Sequence, residues 1–220
     1  MIEERINNII KELPLNVKLV AVSKFHSAEE ILEAYNAGQR CFGESRPQEL
    51  AAKHEALPKD IEWHFIGHLQ TNKLKLVLPY ASLIHSIDSS RLLKSVDEWG
   101  KAKGKIIAVL LQLHLGAEAT KQGFSEAEIR SILENASDYA NISFRGLMGM
   151  ATNTSDEEVI REDFKRIARL KSELNSCFKE LRDFTELSIG MSDDYKIALD
   201  YGSTMVRIGT YIFGIRPPAF

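Results

Sequence analysis

Eight short apolar segments, each followed by a helix-like pattern, constrain this chain more than any other feature. The segments run Val17–Ser23, Arg40–Gly43, Trp63–Ile66, Leu83–Ser86, Ile106–Leu113, Ser143–Met148, Thr185–Ile189 and Met205–Ile208. Strands alternating with helices imply right-handed crossovers and a parallel sheet. Eight such units in 220 residues, with no long linker between them, fit one closed (β/α)8 TIM barrel at the small end of the usual range. The expected domain is therefore residues 1–220, and the competing architecture is an open doubly wound sheet.

Helix start and stop signals agree with that count. Ser27 with Glu30, Ser125 with Glu128 and Ser155 with Glu158 have capping-box spacing, in which the hydroxyl and the carboxylate each take up an otherwise unsatisfied amide. Gly38 and Gly104 stand where helices end and a left-handed residue is needed. Ile160, Phe164, Ile167, Leu174 and Phe178 form the apolar stripe of a long helix within 155–179. Ile2, Ile6, Ile9 and Leu13 mark an extra helix ahead of the first strand.

Composition excludes several classes of function. The net charge is -3, and the basic residues are scattered apart from a cluster at 101–105, so no nucleic-acid partner is expected. Two distant cysteines, Cys41 and Cys177, offer neither a disulfide framework nor a zinc motif. The opening residues carry Glu3, Glu4, Arg5, Lys11 and Glu12, unlike a signal peptide. The longest apolar run, Ile106–Leu111, is too short to span a bilayer. A cytoplasmic protein with no membrane partner is the expectation.

Sites on parallel barrels lie at the carboxyl ends of the strands, and Lys24 closes the first one. A lysine partly desolvated there loses some of its preference for the charged form, and a neutral amine forms imines with carbonyls. The ordinary alternative is a strand-end lysine that reaches water. After the seventh strand comes Ser188-Ile189-Gly190-Met191-Ser192-Asp193-Asp194, and after the eighth Arg207-Ile208-Gly209-Thr210. Glycine turns leading into helices suit an anion, and loops at these two positions often hold phosphate in barrels. Either turn alone is more often a tight turn with cap residues. Arg207 lies between Val206 and Ile208, so it needs either an acidic partner inside the barrel or a ligand.

The third strand carries His64 and, four residues on, His68. On a strand these stand roughly 13 Å apart, too far to share a metal, so no metal is expected. His64 reads as a backbone partner or part of a polar rim. Glu44, Ser45 and Arg46 follow Gly43 as polar strand-end residues, and Met148-Gly149-Met150 reads as rim packing or an apolar wall for a flat ring. An imine-forming lysine, a phosphate cup and an arginine together suit pyridoxal 5′-phosphate, whose aldehyde, phosphate and ring nitrogen occupy separate edges. A sugar-phosphate aldolase needs the first two without the arginine.

Seven stretches then carry a resemblance that runs nearly end to end. They are Ala21–Lys24, Phe42–Glu44, Trp63–Lys73, Glu118–Phe124, Arg145–Met148, Leu187–Asp194 and Val206–Gly214. In these the chain resembles the PLP homeostasis proteins (YggS/PROSC type). The resemblance implies a barrel like the cofactor domain of bacterial alanine racemase. It implies that Lys24 holds pyridoxal 5′-phosphate as an internal aldimine. It further implies that Ser188, Gly209 and Thr210 hold the phosphate with amides near Gly190 and Met191, and that Arg207 meets the pyridine nitrogen. Ser45, His64 and Met148 complete the expected cofactor contacts. Two departures stand out: Ser45-Arg46 replace the family's usual Asn-Tyr, and His114 stands where asparagine is common.

The function this implies is vitamin B6 homeostasis: a monomer that holds the cofactor without catalytic residues and passes it transiently to apo-enzymes. Racemases place a second domain over the cofactor, and eight units use up this chain, so an open outer face is expected. The alternative is an amino-acid racemase or decarboxylase with Tyr211 or His64 as acid/base partner.

Overall fold

The computed structural model describes residues 1–116 and 122–214. Helix α1 (Ile2–Glu12) precedes the first strand. The order is then β1 (Lys18–Val22), α2 (Ala28–Asn36), β2 (Cys41–Glu44), α3 (Pro47–Ala56), β3 (Glu62–Phe65) and β4 (Leu83–Ile87). It continues α4 (Ser90–Lys103), β5 (Ile107–Gln112), α5 (Glu126–Glu134), β6 (Ile142–Met148), α6 (Glu157–Cys177), β7 (Glu186–Met191), α7 (Tyr195–Asp200), β8 (Met205–Ile208) and α8 (Thr210–Phe213). The eight parallel strands close in sequence order, with β1 paired to both β2 and β8. The doubly wound alternative is thereby excluded.

Local chemistry explains most of the elements. Ser27 with Glu30 and Ser125 with Glu128 form complete capping boxes at α2 and α5. At α6 the expected pair is replaced: Asp156 is the cap, its carboxylate accepting from the Glu158 amide at 3.0 Å. Aspartate caps as well as serine and lies one residue nearer the helix. Gly104 ends α4 in the left-handed region at φ 61°. The crossover from β3 to β4 is not an α-helix but a 3-10 helix, Thr71–Leu76. Pro79 follows it closely, and proline bars extension of a regular helix there.

The strands divide their residues between two layers. Leu19, Ala21, Phe42, Trp63, Phe65, Leu187, Val206 and Ile208 join the outer core with helix residues such as Ile31, Leu50, Phe164 and Ile167. Val20, Cys41, Leu83, Leu110, Met148 and Met205 pack as a separate inner cluster. Helix α1 buries Ile2, Ile6 and Ile9. Its Arg5 donates to the Ile212 carbonyl of α8 at 3.1 Å, and its Glu12 accepts from Tyr195 of α7 at 2.6 Å. The extra helix therefore braces both helices that follow the last two strands.

Gly146 sits at a register shift between β5 and β6 with φ 149°. A Cβ there would lie 1.9 Å from the Glu186 carbonyl oxygen of β7. We expect Gly146→Ala to destabilise the fold by at least about 2 kcal/mol through backbone strain and displacement of β7. Thermal unfolding measures this, and a loss under about 0.5 kcal/mol would contradict the packing described.

Candidate functional site

At the carboxyl ends of β1, β7 and β8 lies a cavity of about 260 Å³. Lys24, Ser45, Met191, Arg207, Gly209 and Thr210 line it together, with His26, Ile66, Met150, Ser192 and Asp193. Six of the ten residues expected from sequence thus converge. A larger hollow of about 630 Å³ lies at the opposite ends of the strands, beside Ile106, Ile142, Leu181 and Arg182. It has neither a strand-end lysine nor a glycine turn, so the smaller cavity is the candidate site.

Lys24 stands two residues beyond β1, half-buried, at the start of a strained turn. The next residue, Phe25, has φ 69°, a left-handed conformation unusual for an aromatic residue. Such strain persists only where the surroundings impose it, and here they do. The Phe25 amide donates to Glu49 Oε2 at 2.9 Å. The Arg46 guanidinium stacks 4.2 Å from the Phe25 ring centroid. Beneath them Lys53 Nζ donates to the Ser23 carbonyl at 2.8 Å, to Glu44 Oε1 at 2.7 Å and to Glu49 Oε2 at 3.0 Å. Ser23 Oγ donates to Glu44 Oε1 at 2.7 Å. Burial pushes the Glu44 carboxyl up, with Lys53 and Ser23 opposing. Burial also raises Glu49, but the Phe25 amide and Lys53 outweigh it and hold that carboxyl below its ordinary value. Arg46, a departure at sequence level, is therefore a brace for the lysine turn.

Arg207 is 4% exposed and reaches the cavity from β8. One terminal nitrogen donates to the Ser188 carbonyl at 2.7 Å and to Ser188 Oγ at 2.6 Å; the other donates to the Gly149 carbonyl at 2.9 Å. Burial draws its pKa down to about 10, Asp194 opposing, so it remains a cation at neutral pH. At Gly209 a Cβ would meet the Val22 carbonyl at 3.1 Å and Val22 Cβ at 3.2 Å. That close approach seats the β8 turn against the end of β1. The Thr210 and Tyr211 amides, which open α8, lack intrahelical acceptors, whereas those of Ile212 and Phe213 donate to the Gly209 carbonyl.

Four expected residues lie outside this lining. His64 is fully buried in the barrel, bonded to Glu62 and His85. The Ser188 hydroxyl also turns inward, between Arg207 and His85. Met148 ends β6 inside the inner cluster, and Met150, two residues on, lines the cavity instead. Gly190 has φ 93°, and a Cβ there would press Ala198 at 2.7 Å. Its glycine answers strand–helix packing, while the neighbouring Met191 amide donates to Asp194 Oδ1 at 2.5 Å. Tyr211, the other acid/base candidate, is 47% exposed and is likewise not among the lining residues. Of the stretch Glu118–Phe124, residues 118–121 lie outside the described residues. Sequence reasoning missed His85, which carries no motif of its own, and Glu62, whose role shows only through its bond to His64.

Fold and site together define a barrel of the alanine racemase N-terminal-domain class, and the family model "Alanine racemase, N-terminal domain" matches residues 1–217. More narrowly, the chain belongs to the pyridoxal phosphate homeostasis protein family. It is 42% identical over 208 residues to the "Pyridoxal phosphate homeostasis protein" of Vibrio alginolyticus, covering 92% of this chain and 88% of that one. It is 38% identical to the protein of the same name from Schizosaccharomyces pombe, covering 92% and 85%. The structure of PipY from Synechococcus elongatus with PLP bound superposes at TM-score 0.90 and 37% identity, covering 97% of this chain and all (100%) of that one. An alanine racemase from Clostridium difficile shares the fold at TM-score 0.77 and 16% identity; the match covers 99% of this chain and 57% of that one.

Removing one member of a buried ion pair strands the other and costs about 3–5 kcal/mol. We expect Lys53→Met to lose about that much stability, because Glu44 is buried with Lys53 as its counter-cation. Denaturant unfolding checks it, and a loss below about 1 kcal/mol would show that the Lys24 turn does not depend on this network.

Proposed function

We propose that this chain binds pyridoxal 5′-phosphate reversibly at Lys24 and serves to keep the cofactor available, as the names of its relatives describe. One observation carries the reading: Lys24, Arg207 and the Gly209–Thr210 turn line a single cavity. When bound, pyridoxal 5′-phosphate supplies an aldehyde that an amine takes up reversibly. The donor set fits each edge of that molecule. Lys24 is the tether. Gly209 and Thr210 present amides and a hydroxyl to the phosphate. Arg207 keeps a permanent positive charge toward the ring nitrogen, which disfavours a proton there and weakens the ring as an electron sink. Met150 and Met191 supply apolar contact to a flat ring, and Ser45 offers a hydroxyl at the mouth. PipY, described with PLP bound and similar over nearly the whole chain, supports the reading.

The same proposal has the chain act as a cytoplasmic monomer that hands the cofactor to apo-enzymes. Among the described residues no helix is long and apolar enough to cross a membrane. Cys41 and Cys177 are unpaired thiols, in keeping with a reducing compartment.

Protein incubated with pyridoxal 5′-phosphate is expected to turn yellow. Borohydride reduction followed by peptide mapping should place the cofactor's mass on Lys24. Lys24→Ala should lose both the band and the covalent product. Retention of the product on another lysine would overturn the assignment.

A further inference from the structure

A line of polar side chains crosses the barrel interior, from the start of β3 to the cavity. Glu62 Oε1 lies 2.9 Å from His64 Nε2. His64 Nδ1 lies 2.9 Å from His85 Nε2. His85 Nδ1 lies 2.9 Å from Ser188 Oγ, which accepts from Arg207 at 2.6 Å. His64, His85 and Ser188 are fully buried, whereas Glu62 is half-exposed beside Lys18.

The two ends decide where every proton sits. An ionised carboxylate only accepts and a guanidinium only donates. His64 Nε2 must therefore carry the hydrogen given to Glu62. A neutral His64 then accepts at Nδ1, so His85 Nε2 carries the next hydrogen. A neutral His85 accepts at Nδ1, so the Ser188 hydroxyl donates to it and receives Arg207 on a lone pair. Each member donates once along the line, all in one sense. Charging His64 would set two N–H groups face to face unless His85 moved its own hydrogen to Nδ1, so the one-way line requires a neutral His64.

The electrostatics agree with this arrangement. The His64 hydrogen bond and the Lys18 ammonium hold Glu62 down at about 2, against its partial burial. Burial lowers His64, with Glu62 and Glu186 opposing and Lys18 assisting. Burial holds His85 well below its ordinary value, helped by His64, Arg207 and Lys18. Cys41 lies close to Glu62 and His64, and burial pushes its thiol up, so it stays protonated beside them. The cation facing Glu62 is Lys18, which bonds both carboxylate oxygens at 2.9 and 3.0 Å.

We propose that Glu62, His64, His85 and Ser188 form a one-way hydrogen-bond relay that positions Arg207 and carries the charge state of Glu62 to the cavity. His64 and His85 are positioning residues: they act on a bound molecule only through Ser188 and Arg207. The relay itself stands on the unliganded structure, whereas its effect on a bound molecule rests on the pyridoxal 5′-phosphate reading.

The two parts are tested separately. Imidazole nitrogen-15 NMR on the unliganded protein at pH 7 should show His64 and His85 both neutral, with hydrogen on Nε2. A charged ring, or hydrogen on Nδ1 of either, overturns the relay whether or not the cofactor binds. Coupling is read by titrating pyridoxal 5′-phosphate into native protein, Glu62→Gln, His85→Phe and the double variant. Members of one network couple measurably, so Glu62→Gln should weaken binding at least about threefold in the native background. It should also shift the pH midpoint of the bound chromophore there. Both effects should vanish when His85→Phe interrupts the line. Equal effects in both backgrounds, or none in either, overturn the proposal.

Discussion

The rest of this barrel depends on how it buries one guanidinium. Arg207 sits where a (β/α)8 interior normally packs branched aliphatic side chains in layers. Taking such an ion out of water costs several kcal/mol unless its donors are met. The two terminal nitrogens are met, by the Ser188 carbonyl and hydroxyl and the Gly149 carbonyl. The Ser188 hydroxyl accepts from Arg207 best when its own proton has a destination, and His85 supplies one. One charged residue on β8 therefore dictates polar residues on β7, β4 and β3. The aliphatic inner cluster of Val20, Leu83, Leu110, Met148 and Met205 fills the space around that column.

On the other side of the cavity a second buried network does different work. Glu44, Glu49 and Lys53 hold the Ser23–Phe25 segment from below, and Arg46 closes over it. Their product is a backbone shape: a left-handed Phe25 that ends β1 abruptly and turns Lys24 to the cavity. Arg207 is thus fixed through its side chain, whereas Lys24 is aimed through its main chain. On the proposed reading Lys24 forms and releases an imine, and the strained, braced turn fixes the backbone from which its side chain extends.

The barrel was legible in the sequence because its signals are local and periodic. Eight apolar runs and the caps at Ser27 and Ser125 map onto observed elements within a residue or two. Where the reading slipped, a neighbour outside the pattern decided. Pro79 follows the 3-10 crossover, and Asp156 displaced Ser155 as cap. The convergence of Lys24, Ser45, Met191, Arg207, Gly209 and Thr210 followed from their shared position at strand ends. Inward-facing residues were harder. His64, Ser188 and Met148 lie on strands, so alternation sends them into the barrel. Which inward residue stops short of the rim depends on stagger, which a sequence does not display. His85 appeared only as one more residue of an apolar strand, since its partners are 21 and 103 positions away.

These two networks also bear on what the fold is suited to do. A carbanion-forming site gains from a protonated ring nitrogen and a base on each face of the cofactor. Here the group facing the proposed ring position is a cation. Its hydrogen bonds end in a line of neutral rings with every proton already committed. The two acid/base partners considered from the sequence, His64 and Tyr211, are respectively sealed inside the barrel and not among the lining residues. The cavity presents an amine on a braced turn, a buried cation and a glycine turn, with His26 and Asp193 also among its lining residues. On the proposed reading the first three each meet one edge of the bound molecule. On that reading, a cation set at the ring nitrogen preorganises the site for the ground state of the bound molecule rather than for a carbanion.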